Sequence, residues 1–122
     1  MIETINLARK FDLFSDYWSP KVIGDLNDSY LKLAKLHSEF VWHQHANEDE
    51  LFIVIKGRLL IKFRNHEVSV GEGELVVVPK GVEHCPVAAE EVHVLLIEPK
   101  VTQHTGDLQT EKTVAVADQS RI

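Results

Sequence analysis

A chain of 122 residues suits one domain and can bury roughly two-thirds of the surface its unfolded form exposes, so it needs no covalent staple. Its formal net charge of −6, from 19 acidic and 13 scattered basic residues, argues against nucleic acid or an anionic membrane as a partner. The single cysteine, Cys85, excludes an internal disulfide and fits a reducing compartment. The opening residues have no basic region followed by a long apolar stretch. The longest apolar runs, "LFIVI" and "LVVV", are far too short to span a bilayer. These features lead us to expect a cytoplasmic protein.

Residues 3–14, "ETINLARKFDLF", carry apolar side chains at Ile5, Leu7, Ala8, Phe11 and Phe14, the stripe of a short helix that Thr4 or Asn6 can cap. Trp18-Ser19-Pro20 ends it, and a strand is expected at Lys21–Leu26. From there the period changes. "SYLKLAKL", "FVWHQH", "ELFIVIKG", "RLLIKFR", "EVSV", "ELVVVP" and "EVHVLLIEP" are short β-branched and aliphatic runs. Turn signals at Asn27-Asp28, Lys56-Gly57, Asn65-His66, Gly71-Glu72-Gly73 and Pro79-Lys80-Gly81 separate them. That spacing reads as an all-β sandwich or barrel without βαβ crossovers. The expected organisation is a single domain: a helical arm over 1–20, a barrel over 21–100 and a polar tail over 101–122. Within the tail, "KTVAV" is the candidate for a late edge strand or for docking on a partner subunit, and otherwise the last residues are expected to fray.

The chemistry concentrates in two stretches. In "WHQHANEDELFIVIKG", His43 and His45 share one face of an extended chain because side chains alternate. Glu50 opens the next run, with Phe52 and Val54 on its face. Two antiparallel strands joined through "Ala-Asn-Glu-Asp" would bring His43, His45 and Glu50 to one point. Imidazole nitrogen and carboxylate oxygen together suit a divalent iron, manganese, nickel or zinc ion. In "GELVVVPKGVEHCPV", the turn at Pro79–Gly81 delivers His84 to the start of another strand.

His43-x-His45-x4-Glu50-x6-Gly57 resembles the first signature of the cupin superfamily, and Gly73-x5-Pro79-x-Gly81-x2-His84 resembles the second, with 15 residues between them. The resemblance covers roughly residues 30–98. It implies a double-stranded β-helix, the RmlC-like jelly roll, with His43, His45, Glu50 and His84 as ligands of a divalent metal in the barrel. The chain looks most like small single-domain "conserved barrel" cupins, often described as mannose-6-phosphate isomerase-like and commonly dimeric. Two positions depart from the signature: His37 stands where the family has glycine, and Ala88 where it has asparagine. Neither is a metal ligand in the family.

The remaining candidates read as structural. His66 lies in a turn. His93 faces away from Val92 and Val94, which suits packing or an interface. His104 belongs to a tail able to fold over a barrel mouth, and His37 sits near a strand end. Cys85 and Trp42 point opposite their histidine neighbours, as a buried thiol and a packing residue. Phe52, Val54 and Phe63 are the candidate pocket lining, and of the acidic run only Glu50 has an expected role. No basic residue can be placed in the pocket from the sequence.

The expected function is a metal-dependent enzyme on a small oxygenated substrate, of dioxygenase or isomerase type, with Glu50 as a possible base. The alternative is a module that binds a small molecule without turning it over. "LFIVI" and "VHVLLI" are apolar on both faces, and a barrel interior covers only one. A homodimer is therefore expected, with residues 1–20 helping to form the contact.

Overall fold

The computed structural model describes residues 2–106 and 113–122. Strands form where β-branched and aliphatic residues recur: β1 (Lys21–Leu26), β2 (Ser29–Glu39), β3 (Glu50–Lys56), β4 (Leu59–Phe63), β5 (Glu67–Val70), β6 (Leu75–Val78) and β7 (His84–Pro99). The 16 residues of β7 serve both halves of the molecule. Its beginning, from His84 to Val87, pairs antiparallel with β4. Its later part, from Val92, lies between β2 and β3. One layer therefore runs β1-β2-β7-β3-β6, and β4 and β5 extend from the other end of β7. The pairings among these seven strands are all antiparallel, and the two layers close as a jelly-roll barrel.

Local backbone choices shape this closure. Gly57, between β3 and β4, takes φ 86°, and a β-carbon there would lie 2.9 Å from the Glu91 carbonyl oxygen. Near the end of β2 the register with β7 shifts between Leu36 and Ser38. The left-handed residue at this bulge is Ser38, φ 70°, one position after the His37 departure. Ala88 is completely buried in the barrel core, where a side-chain amide would need a partner.

The interior alternates as a half-buried strand requires. Ala34, Leu36, Val54, Ile61, Val92 and Val94 face inward and pack together. The outer face of the β1-β2-β7 layer has a second cover. Helix α1 (Leu7–Phe11) lies across it, with the Asn6 side chain accepting the Arg9 backbone N–H at 3.0 Å. Phe11 is 3% exposed, packs with Ile23 and Leu33, and stacks on His93 at 4.4 Å between ring centroids. The helix is thus five residues, not the whole of 3–14. Beyond it the chain hydrogen-bonds to β2 instead: the Trp18 N–H donates to the Lys35 carbonyl at 2.9 Å, and the Lys35 ammonium donates to the Phe14 carbonyl at 2.6 Å.

The tail also departs from expectation. Residues 113–116 of "KTVAV" form no strand, Lys112 lies outside the described residues, and Val116–Asp118 make a short 3-10 helix. The last residues do not fray. The Val22 N–H donates to the Ser120 carbonyl at 2.8 Å and the Ile122 N–H to the Val22 carbonyl at 2.9 Å. Strand β1 is an edge whose outer N–H and C=O groups need partners, and this segment supplies them. No helix among the described residues is long and apolar enough to cross a membrane.

Phe11→Ala removes the clamp that holds α1 on the sheet. The expected loss is about 3 kcal/mol of unfolding free energy, the usual range for a buried phenylalanine, measured by urea denaturation.

Candidate metal centre

The stretch from Phe40 to Asp49 forms no regular strand, so His43 and His45 do not lie on a strand beside that of Glu50. The pairing partner is His84. The His43 N–H donates to the His84 carbonyl at 3.0 Å, and the His84 N–H returns to the His43 carbonyl at 2.9 Å. Residues opposed in this way project to the same face, and the two imidazole rings stand 4.3 Å apart between centroids. The Gly81 N–H donates to the His45 carbonyl at 2.8 Å, with Gly81 at φ 78°. The Lys80 N–H donates to Asp49 Oδ1 at 2.9 Å. Asp49 therefore has a role beside Glu50, because it ties the acidic loop to the turn that delivers His84. Glu50, the first residue of β3, faces inward opposite Val78.

The structure brings all four predicted residues together. One donor atom from each of His43, His45, Glu50 and His84 lies within 4.8 Å of every other, and all four residues are buried. Glu50 Oε2 is 3.8 Å from His43 Nε2, 3.3 Å from His84 Nε2, and in close contact with His45 Nε2. Nδ1 of His43 faces the Val41 carbonyl and Nδ1 of His84 the Val82 carbonyl, each at 2.9 Å. A carbonyl only accepts, so both rings carry their proton on Nδ1 and turn the Nε2 lone pair to the common centre. The three Nε2 atoms and Glu50 Oε2 are buried without a hydrogen-bond partner. Four orphaned polar atoms at one point are costly without a cation and natural with one. A divalent ion of the iron, manganese, nickel or zinc kind fits this donor set, and the set does not choose among them.

The electrostatics agree. In the metal-free chain burial alone would raise the Glu50 pKa, but the imidazoles of His43, His45 and His84 crowded against it and the charge of His45 hold it well below the usual carboxylate range. Burial opposes charge on His45, yet its close contact with Glu50 and the charges of Glu50, Glu98 and Glu48 raise its pKa.

Around the centre is a chamber walled by Trp18, Leu36, Phe40, Phe52, Val94 and Leu96. Its free volume is about 30 Å³, room for a water or two. Phe52 and Phe63 stand 6.3 and 6.5 Å from the His84 ring, whereas Val54 lies deeper in the core. Both terminal segments cover the mouth. Trp18 stacks on Phe40 at 4.4 Å, and His104 stacks on Phe40 at 5.7 Å while accepting the Val114 N–H at 2.8 Å through Nε2. Gly106, at φ 65°, is so close to the His43 loop that a β-carbon there would collide with the Gln44 carbonyl.

The other candidates are accounted for structurally. His37 is exposed beside Tyr17, His66 stacks on Phe63, and His93 is held between Phe11 and Glu91. Cys85 is completely buried, and Trp42 carries the Arg64 guanidinium 3.9 Å above its ring. His104 lies on a tail folded over the mouth, as its sequence position allowed, whereas sequence reasoning missed Trp18 and one further pair. Lys32 and Glu98 both face inward next to the chamber wall and form a buried ion pair at 3.0 Å. A basic residue does lie inside. Its phase with Ala34 and Leu36 was the available signal, but Lys35 is in phase with Leu31 and Leu33, and either face could have been the inner one.

A barrel of this topology with three imidazoles and a carboxylate inside its mouth defines a jelly-roll protein with a donor set compatible with a divalent metal. The chain belongs to the cupin family: the cupin domain matches residues 30–98. A cupin-2 domain containing protein from Shewanella frigidimarina is 52% identical and superposes with a TM-score of 0.77, over 78% of this chain and 93% of that one. An uncharacterized protein, YdbB, from Bacillus subtilis is 41% identical over 63 residues, 51% of this chain. The match spans about half of that relative's own length, 56%. Hydroquinone 1,2-dioxygenase from Sphingomonas sp. TTNP3 shares the fold alone, with 17% identity and a TM-score of 0.70 over 80% of this chain and 32% of that one.

His104 generates a pH dependence in the metal-free protein. Burial, with the charges of Lys32 and His43 behind it, lowers its pKa to about 4 in the folded chain. The unfolded imidazole protonates first as pH falls, near its ordinary value of about 6.5. Its contribution is therefore full above that value and lost on descent toward 4, about 3 kcal/mol in all. Urea titrations at pH 7.5 and 4.5 should show a smaller drop in His104→Gln than in the unaltered protein.

Proposed function

We propose that this cupin holds a divalent metal through His43, His45, Glu50 and His84 and acts on a small oxygenated substrate by dioxygenase-type chemistry. The observation that carries this reading is the convergence of four partnerless donor atoms in a buried, largely apolar chamber. The metal would supply Lewis acidity and, if redox-active, a place where a chelating substrate and dioxygen meet. The protein's own part is positional. The Val41 and Val82 carbonyls fix the tautomers of His43 and His84, and the wall of Trp18, Phe40 and Phe52 excludes bulk water and strengthens fields inside. The shared fold with a hydroquinone dioxygenase supports this chemistry over sugar-phosphate isomerisation. So does the scarcity of cations: a phosphate ester needs several donors, and Lys32 is already paired with Glu98. A cytoplasmic setting accords with the lone buried thiol.

The test is metal analysis followed by oxygen-uptake screening on enediols, dihydric phenols, flavonols and thiols, with sugar phosphates as the isomerase arm. The unaltered protein should carry about one metal per chain and turn over one of these classes, and His43→Ala should lose both. Metal-loaded protein as inert as His43→Ala overturns the enzyme. The second reading, a binding module, is favoured by the closed chamber, and a small molecule that survives purification unchanged supports it.

We further infer a homodimer. Helix α1 covers the chain's own β1-β2-β7 layer, but nothing described covers the outer face of β3 and β6, where Ile55, Leu75 and Val77 are exposed. Strand β6 is also an edge of its layer. A second copy related by a two-fold axis would bury this face and satisfy that edge. Light scattering should find a dimer, and Leu75→Lys combined with Val77→Lys should find a monomer of unchanged metal content.

A further inference from the structure

Lys32 and Glu98 are charged residues on the inner face of the barrel, and packing alone does not require charges there. Lys32 shares its face with Ala34 and Leu36, and Glu98 shares its face with Leu96 and Val94; all four of those apolar residues line the chamber. The ion pair is thus the next step along the chamber wall. It also lies on the metal side. Strand β3 pairs with β7 at Ile53↔Leu95, and that register carried three residues outward sets Glu50 level with Glu98. The charges of Glu50 and His45 reach the Glu98 carboxyl, and the charge of Lys32 reaches His104, which itself lines the chamber.

The pair is incompletely satisfied. Lys32 is fully buried and Glu98 is 3% exposed. Lys32 Nζ and Glu98 Oε1 are 3.0 Å apart, but neither completes a hydrogen bond. Thr102 Oγ1, one turn beyond Glu98, is buried without a partner as well. An ammonium has three protons and the carboxylate can occupy only part of that capacity. A buried ion pair left this way is a poor stabilising device, since hydrophobic replacements often do as well or better.

We propose that Lys32, held in place by Glu98, is a second ligand-binding point, which takes a carboxylate of a small molecule whose other end chelates the metal. The inference rests on the metal-centre reading above and names the substrate class for it: small chelating acids. His104 of the tail lines the chamber and is itself buried, so the ligand enters with the tail displaced.

The test uses cobalt(II)-loaded protein, whose visible spectrum reports chelation without turnover. The probes are acetohydroxamate, succinic monohydroxamate and the amide of the latter. The unaltered protein should bind the carboxylated probe about ten- to hundredfold tighter than the amide, the worth of one charge-assisted hydrogen bond. In Lys32→Met combined with Glu98→Leu, that preference should vanish while acetohydroxamate binds as before. Should this variant not fold, Lys32→Gln with Glu98→Gln carries the same comparison. No preference in the unaltered protein, or a preference that survives the double substitution, overturns the inference and leaves the metal reading intact. Failure of cobalt to bind, or of acetohydroxamate to change its spectrum, overturns the metal reading and this inference with it.

Discussion

The site depends on two backbone hydrogen bonds, those exchanged between His43 and His84. Forty residues of barrel lie between these positions, and their mutual bonds set both side chains on the same face at fixed separation. Everything else at the centre is arranged around that clasp. The Pro79–Gly81 turn presents His84 to it, Gly81 then captures the carbonyl of His45, and Asp49 fastens the loop to the same turn. Glu50 follows directly, on a strand with no freedom to shift, because its register with β6 is continuous over four residues. Such a clasp preorganises the donors in the absence of any ion, and the crowding of unsatisfied atoms makes the centre a fit place for a cation.

Sheets that are apolar on both faces impose the second constraint. The inner faces meet in the core. The outer face of β1-β2-β7 is covered by a helix of only five residues and the extended chain behind it. That arm is short because its purpose is packing. Phe11 and Phe14 need to reach the sheet, and once Phe11 is seated the chain gains more from bonding to β2 than from extending the helix.

How far all this could be read in advance depends on range. The spacing of His43, His45 and Glu50, and of Pro79, Gly81 and His84, is local chemistry, and it carried through to one point in space. Glycine at 57 and 81 marked left-handed backbone correctly for the same reason. What stayed hidden was non-local. The strand pairing of His43 was assigned to the wrong partner because nothing within ten residues distinguishes β3 from β7 as its neighbour. Lys32 and Lys35 sit three apart in "YLKLAKL", each in phase with leucines, and only the closed barrel decides which points inward. The tail has weak periodicity because its contacts are single side chains laid on a rim, such as His104 on Phe40.

The narrowness of the chamber has a kinetic corollary. A space for a water or two cannot admit an organic molecule while Trp18 and His104 stay seated on Phe40. Entry is then gated by an uncovering event in the free protein. The observed association rate would climb with concentration and flatten at a ceiling set by that event, the same ceiling for every molecule small enough to enter.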